Sequence, residues 1–294
     1  MSKYKLGIIG GSGLYNLEKF TNAKYIDLTT AWGKPSDKII SFKHEGKEIF
    51  FLPRHGQKHN IQPSFINYRA NIDALKQLGI TDIISFSAVG SLNDAIKPGM
   101  FVVPDQFIDR TYKRINTFFD SDIVCHVSMS KPTSESLMET CVNALKKIGL
   151  DFIHKGTYVA IEGPQFSTHA ESKGYKLYGA DIIGMTNMPE AKLAREAEIR
   201  YATIGMVTDY DCYKTEYLDV DINKIISTLK SNIELAKKII NVLITTFDRN
   251  INKNDPIETC LNSAIVTDIS TAKKETVDNL DTIMRRYKND NKQV

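Results

Sequence analysis

Short apolar runs rich in β-branched and aromatic residues alternate along this chain with longer amphipathic stretches. That alternation predicts an α/β protein built on a sheet, not a helical bundle or a β-sandwich. Strands are expected at 6–9, 39–42, 48–52, 82–86, 101–103, 158–161, 181–184 and 201–207. The second and third flank His44-Glu45-Gly46-Lys47, a short turn containing glycine, which predicts a hairpin and therefore a mixed sheet. Helices are expected at 64–78, 134–148, 169–178, 189–197 and 223–247, with a last one at 270–287 before a frayed polar tail. Gly79, Gly149 and Gly179 follow three of them, where the left-handed conformation stops a helix.

With 294 residues, 42% apolar and 25% charged, the chain has enough apolar material for one large core, and disordered or collagen-like classes are excluded. The expectation is a single α/β domain with a central mixed sheet flanked by helices. A formal charge of +3, from 38 basic against 35 acidic residues, gives no field that would gather nucleic acid or anionic lipid. A small anionic ligand is compatible with it. No run approaches the ~18 apolar residues of a membrane helix. The amino terminus lacks the apolar core of a signal peptide, so a cytoplasmic protein is expected. Cys125, Cys141, Cys212 and Cys260 form no C-x-x-C pair and read as reduced thiols.

Chemistry is concentrated where the expected strands end. Gly10-Gly11-Ser12-Gly13 can converge backbone N–H groups and a hydroxyl on an anion, or be a plain strand-exit turn. It is not the dinucleotide fingerprint, because Asn16 stands where a third glycine is needed, and no Lys follows as in a Walker loop. Pro53-Arg54-His55-Gly56 presents a guanidinium fork at a strand's carboxyl end, where open α/β sheets bind ligands. His55 and His59 are four apart, but the intervening glycine argues against a helix that would aim both at a metal, and His59 reads as a structural histidine. Ser87-Ala88-Val89-Gly90 repeats the pattern of small donors at a strand end. Phe166, after Gly163-Pro164, is a platform on which a base or sugar could pack, or ordinary core. Pro189 and Glu190 fit helix-capping rules, which leaves Met185 and Thr186 needing another reason. Asp209 and Asp211 end an apolar strand two residues apart, so both can face one flat ligand, and their mutual repulsion would raise one pKa. A purine edge fits such a pair.

Taken together, GIIGGSGL, PRHGQKH, SAVGSL, DQFIDRT, IEGPQFSTHAES, MTNMPEAKLAREA and TDYDC resemble the trimeric purine nucleoside phosphorylases, over residues 6–247. Within that family the similarity is to the branch acting on 5'-methylthioadenosine. The resemblance implies phosphorolysis, in which inorganic phosphate attacks C1' and releases a free purine, with phosphate as co-substrate and neither cofactor nor metal. It implies a phosphate site of Ser12, Arg54, His55, Ser87, Ala88 and Thr186. Met185 would lie under the ribose, Phe166 and Ser167 would line the sugar and base pocket, Asp209 would protonate N7 and Asp211 would accept from the 6-amino group. Ile222, Ile225 and Ile226 would form an apolar 5'-pocket, and His126 would reach in from a neighbouring subunit of a homotrimer. The residues 1–249 would be the catalytic domain and 250–294 a C-terminal loop and helix packed on it, in an enzyme of methionine and purine salvage. Ser87 replaces a threonine common in relatives and keeps the hydroxyl; Tyr213 stands where many have tryptophan. Competing readings are a phosphorylase for 6-oxopurine nucleosides, a non-catalytic nucleoside sensor and a nicotinamide-dependent oxidoreductase. The last leaves Arg54, His55 and the Asp209/Asp211 pair unexplained.

Overall fold

The computed structural model describes residues 4–11, 14, 23–214, 216, 222–247 and 255–291. Among them eleven strands form one mixed sheet: β1 Leu6–Gly10, β2 Lys24–Ile26, β3 Ile39–His44, β4 Lys47–Pro53, β5 Asp82–Ser91, β6 Phe101–Val103, β7 Gln106–Arg110, β8 Phe152–His154, β9 Thr157–Ile161, β10 Ile182–Gly184 and β11 Arg200–Tyr210. The helices are α1 Tyr68–Gln77, α2 Glu135–Ile148, α3 His169–Leu177, α4 Asn187–Glu196, α5 Ile222–Thr246, α6 Leu261–Ala264, α7 Lys274–Asn279 and α8 Asp281–Asn291.

The main path of the sheet runs β2-β3-β4-β1-β5-β10-β9-β7, while β11 lies on the other side of β5 and leads through β6 to β8. β5 is the pivot. Its first half pairs in parallel with β1, its last residues pair antiparallel with β10, and β11 accompanies it in parallel along its length. β1 and β10 therefore run toward each other along one edge of β5, and both end near its middle. A crevice opens there, at a switch in strand direction of the kind that hosts ligands in α/β sheets.

Alternation along the strands divides the core between the two faces. Ile9, Ile83 and Tyr201 pack with Ile72 and Leu75 of α1, Leu193 of α4 and Ile283 of α8. Ile8, Ile84 and Ile204 pack with Leu137 and Leu145 of α2 and Ile239 and Leu243 of α5. The three glycines expected to stop helices all have positive φ, between 74° and 81°.

Three expectations change. The segment expected as a helix from 64 opens as a 3₁₀ turn, Pro63–Phe65, and α1 starts only after Asn67, whose side chain accepts from the Ala70 amide. The helix expected at 270–287 is broken into a 3₁₀ turn, α7 and α8. Asp122 accepts from the Lys273 amide and the Thr276 hydroxyl, and so fixes the chain where the 3₁₀ turn passes into α7. β5 and β11 continue to Ser91 and Tyr210, so the small-residue motif and Asp209 are strand, not exit loop, and Asp211 follows directly after β11.

β5 and β11 are also locked at their first residues. The Arg200 side chain (2% exposed) pairs with Asp82 (0% exposed), and Arg200 Nη1 donates to Ser136 Oγ at 2.7 Å. Removing one partner leaves the other charge buried alone. We expect Arg200→Met to lose about 3–5 kcal/mol in urea unfolding, and the double variant Arg200→Met/Asp82→Leu to recover most of it. A loss under about 1 kcal/mol would put the pair on the energetic level of a surface bridge.

Candidate active site

The crevice is a cavity of about 580 Å³, and its lining draws on the ends of β1, β4, β5, β9, β10 and β11 and on the first turns of α5. Arg54, His55, Ser87, Ala88, Phe166, Ser167, Met185, Thr186, Asp209, Asp211 and Ile225 all line it. Ser12 lies outside the described residues, though its neighbour Gly11 is in the wall. The side chain of Ile222 is likewise not described. Ile226 is 44% exposed and points off the cavity; Leu229, one turn beyond Ile225, takes that part of the wall. His126 lies in a different groove, with Ser128, Lys131 and Arg195.

Arg54 is fully buried as β4 gives way to its exit turn. Nε donates to Glu190 Oε2 (2.7 Å), Nη2 donates to Glu190 Oε1 (3.0 Å) and to Ser85 Oγ, and Nη1 donates to the Phe86 carbonyl (3.1 Å). Four of the five N–H groups are thus committed to protein, and one on Nη1 is left. Ser85 and Tyr201 hydroxyls each donate to Glu190 Oε1 at 2.8 Å. Burial alone would push Arg54 down; the charge and hydrogen bonds of Glu190 outweigh it and hold the guanidinium above its ordinary value. Glu190, which the sequence presents as a first-turn helix acid, is instead the counter-ion of the site's arginine.

The His55 ring meets the Ile61 carbonyl through Nδ1 at 2.8 Å. A carbonyl only accepts, so Nδ1 carries the proton and Nε2 is the acceptor. Burial first, then the charge of Arg54, lowers His55 to about 4, so the ring is neutral at physiological pH. His59, expected to be structural, sits 4.8 Å from the His55 ring and also lines the cavity. Ser87 Oγ lies 3.2 Å from Tyr158 Oη and 3.4 Å from Thr186 Oγ1. This end of the cavity therefore offers an anion hydroxyls and one guanidinium N–H, over an arginine whose charge is balanced, while the neutral His55 ring, sequence-predicted as a phosphate ligand, has its one N–H committed to Ile61.

The opposite end holds the two acids. The Thr208 hydroxyl donates to Asp209 Oδ1 at 2.6 Å, and Ser172 donates to Asp211 Oδ2. A register shift between Val207 and Asp209 turns the strand end so that both carboxyls reach the cavity. Burial is the main reason that Asp209 rises from 3.8 to about 6; the Asp211 charge adds to it and the Thr208 hydrogen bond opposes it. Mutual repulsion, the cause expected from spacing, is the smaller one. Asp211 is raised as well, again mainly by burial. A Cβ on Gly90 would stand 3.4 Å from Asp209 Oδ2 and 3.1 Å from Ile183, so glycine keeps the floor between the acids and β10 open. The Ser167 hydroxyl is buried without a hydrogen-bond partner, which leaves a polar group for a ligand to satisfy.

The residues 5–245 match the model of the phosphorylase superfamily. A relative from Geobacter sulfurreducens, an S-methyl-5'-thioadenosine phosphorylase, is 45% identical over 96% of this chain and 98% of its own. One of the same name from Cereibacter sphaeroides is 49% identical over 81% and 82%. The crystal structure of a methylthioadenosine phosphorylase from an antarctic soil metagenomic library superposes with a TM-score of 0.89 at 43% identity, covering 95% of this chain and 98% of the other. A methylthioadenosine phosphorylase from Schistosoma mansoni in complex with tubercidin gives 0.79 at 34% identity, over 90% and 100%. The chain belongs to the phosphorylase superfamily, alongside the S-methyl-5'-thioadenosine phosphorylases.

Proposed function

We propose that this protein cleaves S-methyl-5'-thioadenosine with inorganic phosphate, giving adenine and 5-methylthio-α-D-ribose 1-phosphate. The observation that carries the reading is the pair of ends of one cavity: neutral donors around Arg54 on one side, and two acids of raised pKa on the other. Relatives so named over nearly the whole chain support it.

Phosphate bound by Ser87, Ala88, Thr186 and the remaining Arg54 N–H would sit beneath the sugar, with Ser12 as a further donor, and attack C1' as the glycosidic bond breaks. The electron pair of that bond passes into the purine. Asp209 would then deliver its proton to N7 while Asp211 accepts from the 6-amino group, which is the preference of a 6-aminopurine site. Phosphate is itself the nucleophile, so no step calls for a cofactor. Phe166 would cover the base and sugar, and Ser167 would satisfy its hydroxyl on the ligand. Ile225 and Leu229 would pack the 5'-thioether, which favours sulfur and carbon over a hydroxyl. Ile222 joins this proposal from the sequence alone.

We propose further a homotrimer in the cytoplasm serving methionine and purine salvage, with His126 completing a neighbour's site. The place of His126 in a groove separate from its own cavity, and the exposed apolar side chains of Phe65, Tyr112 and Ile115, support that reading. No helix among the described residues is long and apolar enough to cross a membrane.

Purified protein should release adenine from 5'-methylthioadenosine only when phosphate is present, faster than from adenosine and far faster than hypoxanthine from inosine; an inosine preference would overturn the base-site reading. Asp209→Ala should lower kcat at least ~100-fold, the scale of a lost general acid. Asp211→Asn should shift preference toward inosine, and unchanged selectivity would remove Asp211 from base recognition.

The raised Asp209 also makes a pH prediction. Between its ordinary 3.8 and about 6 the folded protein holds a proton that the unfolded chain has released, so this residue's contribution to stability falls as pH rises through that window. Asp209→Asn should remove that slope. In paired urea titrations at pH 4 and 7 the variant gains on wild type at the higher pH, and parallel curves would contradict the shift.

A further inference from the structure

The side chain of Arg114 is 1% exposed and does not line the cavity, yet its partners are the two segments that form the cavity's sugar side. Nη1 donates to the carbonyls of Met185 (2.5 Å) and Met188 (2.7 Å), and Nη2 to those of Glu162 (2.7 Å) and Ile161 (3.3 Å). Nε donates to Glu162 Oε1 at 3.1 Å, and Tyr68 Oη, 3.1 Å from Nη1, shares one of the two Nη1 protons with a carbonyl. Glu162 in turn accepts from the Tyr112 and Lys113 amides and from Ser64, so the loop carrying Arg114 is pinned by the same carboxylate. One planar cation thus bridges the end of β9, which leads to Phe166 and Ser167, and the turn from β10 into α4, which holds Met185 and Thr186. A lysine cannot reproduce this, because its three donors radiate from one atom whereas the guanidinium spreads five across a plane.

We propose that Arg114 is a positioning residue: it sets the Met185–Met188 turn against the end of β9, and so places the backbone and hydroxyl that face the reacting sugar and phosphate. The proposal rests on the phosphorolysis reading above and assigns that reading a part no cavity-lining residue plays. The acids at the base end depend on it least, since Asp209 and Asp211 are fixed by β5, Thr208 and Ser172. The clamp therefore predicts a split between the two halves of the site, which a loss of general stability would not give.

The test compares wild type with Arg114→Lys, measuring adenine and phosphate binding by calorimetry and steady-state phosphorolysis of 5'-methylthioadenosine. In the variant we expect the adenine Kd to stay within ~3-fold, the phosphate KM to rise at least ~10-fold and kcat to fall ~30- to 100-fold, as a misplacement of about 1 Å can produce. Kinetic constants within ~3-fold of wild type, or adenine and phosphate affinities lost in equal proportion, would overturn the proposal. Should Arg114→Lys fail to fold, Tyr68→Phe removes one anchor of the guanidinium: a raised phosphate KM with unchanged adenine Kd supports the clamp, and unchanged values for both overturn it. Absence of turnover in wild type would count against phosphorolysis itself, and the clamp would then be judged on the two binding constants alone.

Discussion

The ion pair between Arg54 and Glu190 joins parts of the chain that are 136 residues apart and holds the walls of the crevice together. Arg54 leaves β4, Glu190 lies in α4, Ser85 belongs to β5 and Tyr201 to β11, and all four meet in one buried network. A buried ion pair is costly to form and costly to break on one side only. Here the fork geometry and the two hydroxyl donors satisfy the carboxylate. With the guanidinium spoken for, its orientation is fixed before any ligand arrives, which is the condition for electrostatic preorganisation. The same pairing balances the charge of the arginine at that end of the cavity. Under the phosphorolysis proposed above, discrimination for phosphate would then depend on the placement of hydroxyls and amides more than on attraction.

The sequence made the strand ends legible because glycines, small hydroxyl residues and acids interrupt apolar runs there, and a strand end is where an α/β sheet can present them. It made Asp209 and Asp211 legible by their spacing, although not the bulge that turns them inward, nor that burial outweighs their repulsion. Glu190 was hidden because an acid after a helix-starting proline has a sufficient local explanation, while its partner is far away in sequence. Arg114 was hidden for a different reason: four of its partners are backbone carbonyls, and a carbonyl leaves no mark on residue identity. The choice between Ile226 and Leu229 was recoverable from helix geometry. Residues 225 and 229 are four apart and share a face, whereas 226 is turned by about 100°. β2, β7 and β8 escaped because they are three to five residues long and partly exposed, with no apolar run to announce them.

The long central strand links these observations. Its first half is an ordinary parallel core strand, locked to β11 by Arg200 and Asp82, and its second half carries Ser87, Ala88 and Gly90 into the cavity. Rigid scaffold and working surface are thus successive residues of one element. A site built on a strand buried on both faces has little freedom to drift, which suits a reaction in which positioning supplies most of the rate.

The provenance of the cavity wall has a consequence for how the protein matures. Its lining runs from Gly11 to Leu229 and draws on six of the eleven strands, so most of the chain must be in place before the pocket is complete. Such non-local assembly is slow, because loop closure has to precede the contacts that reward it. A nascent or partly folded chain would hold neither purine nor phosphate, and ligands would bind the finished fold alone. Small molecules in the cell would then act as selective stabilisers of completed protein, adding RT ln(1 + [L]/Kd) to its resistance to unfolding and to the proteases that sample open states.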